Sequence, residues 1–392
     1  MTKKELGNMK LMKKINKNII LDILKSNEGL SRADISKITN LSKPSISSLM
    51  NELINEGWVF EEGRERTQVG RRPMRLKFNS RKYVIIGAMF TNVGIQLALG
   101  NLLGEIMSTE FIFVEDSREE ETVAKEFRAA VSKLLEDNNL EMDNLMGISM
   151  GIPGIVKDER EEIMFAPEIK YKGILLKNKI ESWIDVPIFI DNDVNLMCLG
   201  EYYNAYDNKS KDKKTNMAYI YFGNGIGAGL MINGELYRGA DQASGEIGYM
   251  VVGNFKKRDN HEQGVFESNY SSTALRDFIK DKGDALKGEY SIIKYIVEKS
   301  SEDESYKNLL NDIYLHWSYA IANLISIINP EVVILGGEAL NIGEEGIKTI
   351  EEILKNLVPF LPKVKFGNLG NKAGIIGSIY KVLSKNEMLV NS

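Results

Sequence analysis

The chain is poor in the residues that hold metals and cross-links. One cysteine, Cys198, and two histidines among 392 residues exclude an internal disulfide and any thiolate zinc cluster, and leave little imidazole for other metals. No metal or cofactor is therefore expected, and the scarcity of thiols accords with a reducing compartment. Long hydrophobic runs are missing too. No stretch of about eighteen apolar residues occurs, and the N-terminus is basic and polar without the apolar centre of a signal peptide. The expectation is a cytoplasmic protein with no membrane partner.

What is present is unevenly distributed. The net charge is −5, yet residues 1–82 hold 18 Lys and Arg against 9 Asp and Glu, while the remainder holds 32 against 46. A basic head on an acidic body points to nucleic acid at the head alone. The length exceeds what one core serves and suggests two or three domains.

The head is organised around Ser31 to Gly57. Ser31 and Asp34 form a capping pair, so a helix is predicted from Arg32 to about Thr39. A second opens after Ser42, with Pro44 in its first turn, where the missing N–H has no cost. Ile46, Leu49, Met50 and Leu53 fall at i, i+3, i+4 and i+7 and predict one buried stripe. The opposite face carries Lys43, Ser45, Ser47, Ser48 and Asn51, short polar side chains that can approach base edges behind a leading lysine. Helix spacing alone fits a solvated amphipathic hairpin equally well. The residues after Gly57 favour DNA: strands are predicted at Trp58 to Phe60 and Met74 to Phe78, bracketing Gly70-Arg71-Arg72-Pro73, a basic extended segment suited to a narrow minor groove. This is the pattern of a winged helix. A preceding amphipathic helix, Ile15 to Lys25, is expected to bury Ile15, Ile19, Ile20, Ile23 and Leu24 beneath the hairpin, and Asn79 to Lys82 to form a hinge.

From Tyr83 the texture turns to strands: residues 83–90, 94–100 and 105–114, then a charged helix near 119–138 and a buried strand, Leu145 to Met150, running into Gly151-Ile152-Pro153-Gly154. A similar order recurs with a strand at Met217 to Phe222, a glycine-rich turn at Gly223 to Gly229, and strands at 230–232 and 235–238 joined by Asn233-Gly234, a turn needing positive φ at both positions. Two related halves would leave a ligand cleft between them. Three segments carry chemistry there. Phe189 to Asn195 is an apolar strand ending in Asp191, Asn192, Asp193 and Asn195, at the strand end where α/β folds bind ligands. Gly239 to Tyr249 presents Glu246 and Tyr249, and Gly264 to Glu267 presents Glu267. Paired carboxylates and amides suit a polyhydroxylated sugar, whose hydroxyls both donate and accept. Each alone reads as a solvated loop acid. The apolar stretch Tyr314 to Ile328, with His316 and Trp317, reads as a helix of the core or of a dimer interface, and 208–215 as a solvated loop.

Taken together these motifs resemble the ROK family of repressors and sugar kinases, specifically the branch of xylose repressors. The residues that carry the likeness are the Gly-Arg-Arg-Pro step, 151–154, 192–195, Gly223 to Gly229, Gly239 to Tyr249 and Leu335-Gly336-Gly337. The resemblance implies an α/β fold with a winged helix-turn-helix at about 1–80, followed at 83–390 by a duplicated actin-like, ribonuclease H-type domain with halves near 83–205 and 215–390. It implies a sugar site at Asn192, Asp193, Glu246 and Glu267, with Tyr249 where a histidine contacts the sugar in many members; the residues themselves point to DNA contacts by Lys43, Ser45, Ser47, Ser48, Arg71 and Arg72. In kinase members the position of Asp193 is the base that takes a proton from the sugar.

The departures bear on function. Kinase members carry an Asp-x-Gly-Gly-Thr phosphate loop where this chain has Met89-Phe90-Thr91-Asn92-Val93, and a thioether cannot hold magnesium. The family's zinc histidine is Tyr249 here, its three cysteines are missing from 251–266, and Glu168 stands where an asparagine is usual. The expectation is a homodimeric repressor that binds operator DNA, is released by a monosaccharide, xylose by resemblance, and is not an enzyme. A sugar kinase with a regulatory head, and a repressor blind to sugar, are the competing readings.

Overall fold

The computed structural model describes residues 3–62, 74–114, 120–157, 162–165, 174–206, 215–253, 264–283 and 291–386. The head comprises α1 (Lys3–Ser26), α2 (Arg32–Thr39), α3 (Lys43–Asn55), β1 (Val59–Glu62) and β2 (Arg75–Phe78). Helix α2 starts where the capping pair requires. The Ser31 hydroxyl accepts the Asp34 N–H, and the Asp34 carboxylate accepts the Ser31 N–H at 3.0 Å, an arrangement whose loss costs about 1 kcal/mol. Asn40 ends α2 in the left-handed conformation, φ 56°. Ser42 caps α3, and Ile46, Leu49, Met50 and Leu53 are buried beneath it. Strands β1 and β2 pair antiparallel with Val59 opposite Phe78.

Helix α1 is longer than its periodicity predicts, and its burial differs. Ile20, Leu21 and Leu24 enter the head core, whereas Ile15 and Ile19 remain 47% and 43% exposed. The small core is wide enough to cover only the C-terminal turns of α1, so the row at 11, 15 and 19 faces outward.

The body holds two five-stranded sheets of the same topology. The first contains β3 (Val84–Thr91), β4 (Gly94–Asn101), β5 (Ile106–Phe113), β6 (Leu145–Ile152) and, after the small hairpin β7 (Ile155–Lys157) and β8 (Glu162–Phe165), β9 (Ile188–Asn192). Its order is β5-β4-β3-β6-β9, an antiparallel meander followed by two parallel strands. The second contains β10 (Met217–Phe222), β11 (Ile226–Ile232), β12 (Glu235–Tyr237), β13 (Val332–Gly337) and β14 (Lys363–Phe366) in the matching order β12-β11-β10-β13-β14. The duplication is plainer in strand order than in residues.

Helices complete the layers. The first sheet packs its outer face on α4 (Glu120–Glu136) and α5 (Ile174–Glu181), and the second on α7 (Glu267–Tyr270), α8 (Ser272–Asp281), α9 (Ile292–Ser300), α10 (Glu304–Ile328) and α11 (Gly343–Lys355). Between the sheets lie α6 (Asp193–Tyr206) and α12 (Ala373–Asn386). Strand period 2 sorts the side chains: Ile220 and Phe222 face the outer core while Met217 and Tyr219 face α6. Helix α12 follows the second sheet in the chain but packs on β3 and β6 of the first. The buried Glu201 carboxylate of α6 grips the segment leading into it, accepting the N–H groups of Asn368 at 3.1 Å and Leu369 at 2.8 Å.

One expected turn is shorter than its glycines suggest. Only 223–225 turns, and Gly227 and Gly229 lie inside β11, because α6 passes so close that a Cβ at Gly229 would sit 2.3 Å from the Cys198 Cβ. Asn233 and Gly234 do turn with φ 53° and 78°. Helix α10 begins at Glu304, ten residues before its most apolar stretch, and Trp317 is buried in it, stacked on Phe222 at 3.8 Å. His316, in the same helix, stacks on Tyr270 and lies 2.8 Å from its hydroxyl.

Head and body meet at 79–82. Asn79 donates its amide to the Gly57 carbonyl and its N–H to that of Trp58, at 2.9 and 2.8 Å. The Ser80 carbonyl accepts the Leu102 N–H at 2.9 Å. Lys82 reaches the Glu56 carbonyl at 2.5 Å and lies over the Trp58 ring, which meets Tyr83 edge-on. A joint with this many directed contacts is a fixed coupling rather than a free tether.

Candidate functional site

The cleft residues are gathered by one strand. Three consecutive residues of β11 each hold a different segment: the Ile226 N–H donates to Glu267 Oε2 at 2.9 Å, Gly227 lies against Val194, and the Ala228 N–H donates to the Gly245 carbonyl at 2.8 Å. The start of α6, the start of α7 and the loop that carries Glu246 thus converge on a single stretch of backbone.

Asn192 and Asp193 stand where β9 passes into α6. Asn192 Oδ1 caps the helix by accepting the Asn195 N–H at 3.0 Å, and its Nδ2 donates to the Gly154 carbonyl at 2.9 Å. One N–H and one lone pair of the amide are left for a ligand. Asp193 is the first helical residue, where the macrodipole favours a carboxylate, and its Oδ1 accepts the Val194 N–H at 2.8 Å.

Across the cleft, Glu246, Tyr249 and Glu267 form an electrostatic group. Burial pushes the Glu246 carboxyl above the ordinary range, and among the described residues no donor lies within hydrogen-bond reach of it. Burial likewise raises the Tyr249 hydroxyl, and the charges of Glu267 and then Glu246 raise it further.

A feature with no local sequence signal lies directly behind this pair. Asp191, 1% exposed, takes a bidentate Arg238 at 2.8 and 2.5 Å, Lys381 at 2.9 Å and the Asn192 N–H at 2.9 Å. Burial alone would raise its carboxyl; the Arg238 hydrogen bonds and the charges of Lys381 and Arg238 hold it below the usual range instead. The partners lie 47 and 190 residues along the chain, so only the tertiary structure unites them.

Met89, which stands in the segment the resemblance compares with the kinase phosphate loop, is packed between its sheet and the neighbouring helix. It is 7% exposed and fills the space between sheet and helix: a Cβ at Gly151 would lie 2.5 Å from its Sδ, and one at Gly374 2.5 Å from its Cε.

On the head, Lys43, Ser45, Ser47 and Ser48 are all exposed on one face of α3. Ser45 also serves the cap, its hydroxyl 2.8 Å from that of Ser42. Arg32 carries no signal in the sequence beyond its place after the cap. It donates to Asn51 Oδ1 and Glu61 Oε1, each at 2.9 Å, and so ties α2 to α3 and β1. Arg71 and Arg72, Glu168, and most of the 208–215 and 251–266 loops lie outside the described residues.

The geometry has counterparts among known proteins. The model of the ROK family matches residues 91–385, and that of a winged helix-turn-helix DNA-binding family matches 15–59. A putative xylose repressor of Caldicellulosiruptor sp. (strain Rt8B.4) is 30% identical over 97% of this chain and 98% of its own. A crystal structure of a ROK family transcriptional regulator, described as a homolog of E. coli MLC protein, aligns with a TM-score of 0.74 at 21% identity over 97% of this chain and all of that one. A ROK hexokinase from Thermus thermophilus aligns with a TM-score of 0.64 at 20% identity over 78% of this chain and 99% of that one. The chain therefore belongs to the ROK family and carries a winged helix-turn-helix ahead of its ROK domain.

Proposed function

We propose that this protein is a sugar-responsive transcriptional repressor, with residues 1–80 as its DNA-binding head and 83–390 as its effector domain. The observation that carries the reading is the gathering of the half-buried Glu246 carboxyl, Tyr249 and Glu267 opposite Asn192 and Asp193 along β11. A monosaccharide in that cleft hydrogen-bonds to both halves and draws them together. It changes operator affinity only by binding one arrangement better than the other. Lys43 meets phosphate, Ser45, Ser47 and Ser48 read base edges, and Arg71 and Arg72 enter the minor groove. Two copies would bind a two-fold symmetric operator, with half-site spacing set by the dimer.

Phosphoryl transfer is not part of this reading. A packed methionine holds no magnesium, and Met89 fills the space beside Gly151 and Gly374. Xylose is the first effector to test, because relatives that match along both chains are named xylose repressors, one of them as putative. The test is a thermal-shift screen of the purified protein against pentoses, hexoses, amino sugars and ATP with magnesium, since a ligand of the native state raises its melting point. A shift with D-xylose and none with ATP is expected. A shift with ATP would restore the kinase reading, and silence throughout would leave a repressor without a sugar.

A further inference from the structure

Asp191 draws together three parts of the molecule distant in sequence. Its own strand β9 ends at Asn192, Arg238 lies just past β12 of the second sheet, and Lys381 projects from α12. Both cations are largely withdrawn from water, the Lys381 side chain at 5% exposed and that of Arg238 at 18%. Each short, charge-assisted bond fixes a direction as well as a distance. Because Asp191 also accepts the Asn192 N–H, the backbone that aims Asn192 and Asp193 into the cleft is set by this cluster.

From Lys381 the contacts run on without a gap. Its neighbour Tyr380 stacks on Tyr203 at 4.6 Å and lies so close to the β4–β5 turn that a Cβ at Gly104 would be 2.7 Å from its Cζ. Ile379 packs on Gly100 in the same way, at 2.6 Å. That turn holds Ser80 through the Leu102 N–H, and the adjoining Asn79 holds Gly57 and Trp58 of the head. A continuous run of packed and hydrogen-bonded contacts thus links α12 to the joint.

We propose that Lys381 is a positioning residue of the effector site, which through Asp191 and α12 links occupancy of the cleft to the seating of the DNA-binding head. This rests on the reading of the cleft as an effector site. Contiguity does not measure coupling; a double-substitution cycle does.

The experiment uses the full chain with Lys381→Met, Asp191→Asn and the two combined, D-xylose as probe, and an operator fragment selected with the wild type. The linkage factor is the ratio of operator Kd with saturating sugar to that without. The titrations are run at a temperature where each variant is fully folded both with and without sugar, so that the ratio reads positioning rather than stability. Lys381→Met is expected to lower the factor at least fivefold. The combined variant removes the Lys381–Asp191 pair but leaves Arg238 facing an amide instead of a carboxylate, so it is expected to melt below the wild type and not to regain the factor. A folded Lys381→Met with wild-type linkage overturns the proposal, as does a combined variant that recovers it. Should D-xylose fail to act on the wild type, xylose falls as the effector, and amide exchange decides this proposal separately. Lys381→Met should speed exchange of the Leu102 and Asn79 amides while leaving those of α3 unchanged, and unchanged rates at all of them overturn it.

Discussion

Met89 Cε lies 2.5 Å from where a Cβ of Gly374 would stand, so the strand and the helix N-terminus meet through a thioether that only glycine admits. The sulfur also fills the position beside Gly151, and Met89 is thereby a structural wedge between β3, β6 and α12.

Removing the wedge should open a cavity that neighbouring backbone cannot close. Met89→Ala is expected to lower stability by about 2–5 kcal/mol, with the denaturant slope unchanged. Urea unfolding checks this. A loss under about 0.5 kcal/mol would mean that the packing relaxes and the wedge is not needed.

Glu246 sets function against stability. A carboxyl whose folded pKa is raised contributes stability below its unfolded value and loses it as pH rises through the folded value. The Glu246 carboxyl is shifted upward by burial, so ionising it costs more in the folded protein than in the unfolded chain. Glu246→Gln should melt higher than the parent at pH 8 and no higher at pH 4, while losing its thermal shift with D-xylose. Equal gains at both pH values would place the cause elsewhere than ionisation.

Asp193 should separate the two activities. Asp193→Asn keeps an oxygen for the Val194 N–H and removes the charge. Operator titration should give the parental affinity, with no release by D-xylose up to concentrations that free the parent. Normal release would show that the sugar sits elsewhere.

The polar face of α3 should divide into two kinds of contact. Lys43→Ala is expected to weaken operator and random DNA alike and to reduce the slope of log affinity against log salt by about 0.9. Ser48→Ala should leave that slope alone and relax discrimination at one base pair by about tenfold. Salt titrations on matched and singly mismatched duplexes check both, and a changed slope for Ser48→Ala would make it a phosphate contact.

The two adjoining isoleucines of α1 should behave oppositely. Ile20 is fully buried and Ile19 is 43% exposed, so Ile20→Ala should cost about 2–5 kcal/mol and Ile19→Ala under about 0.5. Comparable losses would mean that the outward row is covered in the native assembly.

Residues alone settled whatever depends on near neighbours. The Ser31–Asp34 cap, the α3 stripe and the Asn233-Gly234 turn are governed by interactions within a few positions, and periodicity or a turn rule names them directly. The charge split marked the head, and clustered carboxylates marked Asn192, Asp193, Glu246, Tyr249 and Glu267 as candidates. Tertiary structure decided what depends on the approach of distant segments. Ile15 and Ile19 fit the helical stripe, yet the head core ends before it reaches them. Gly227 and Gly229 suit a turn, yet α6 presses against them and only a bare strand fits. Asp191 reads in the sequence as one acid among several, and it becomes a buried ion cluster only when Arg238 and Lys381 arrive from 47 and 190 residues away. A periodic pattern reports which face of an element is apolar; what covers that face is decided by packing between elements, which no local pattern encodes.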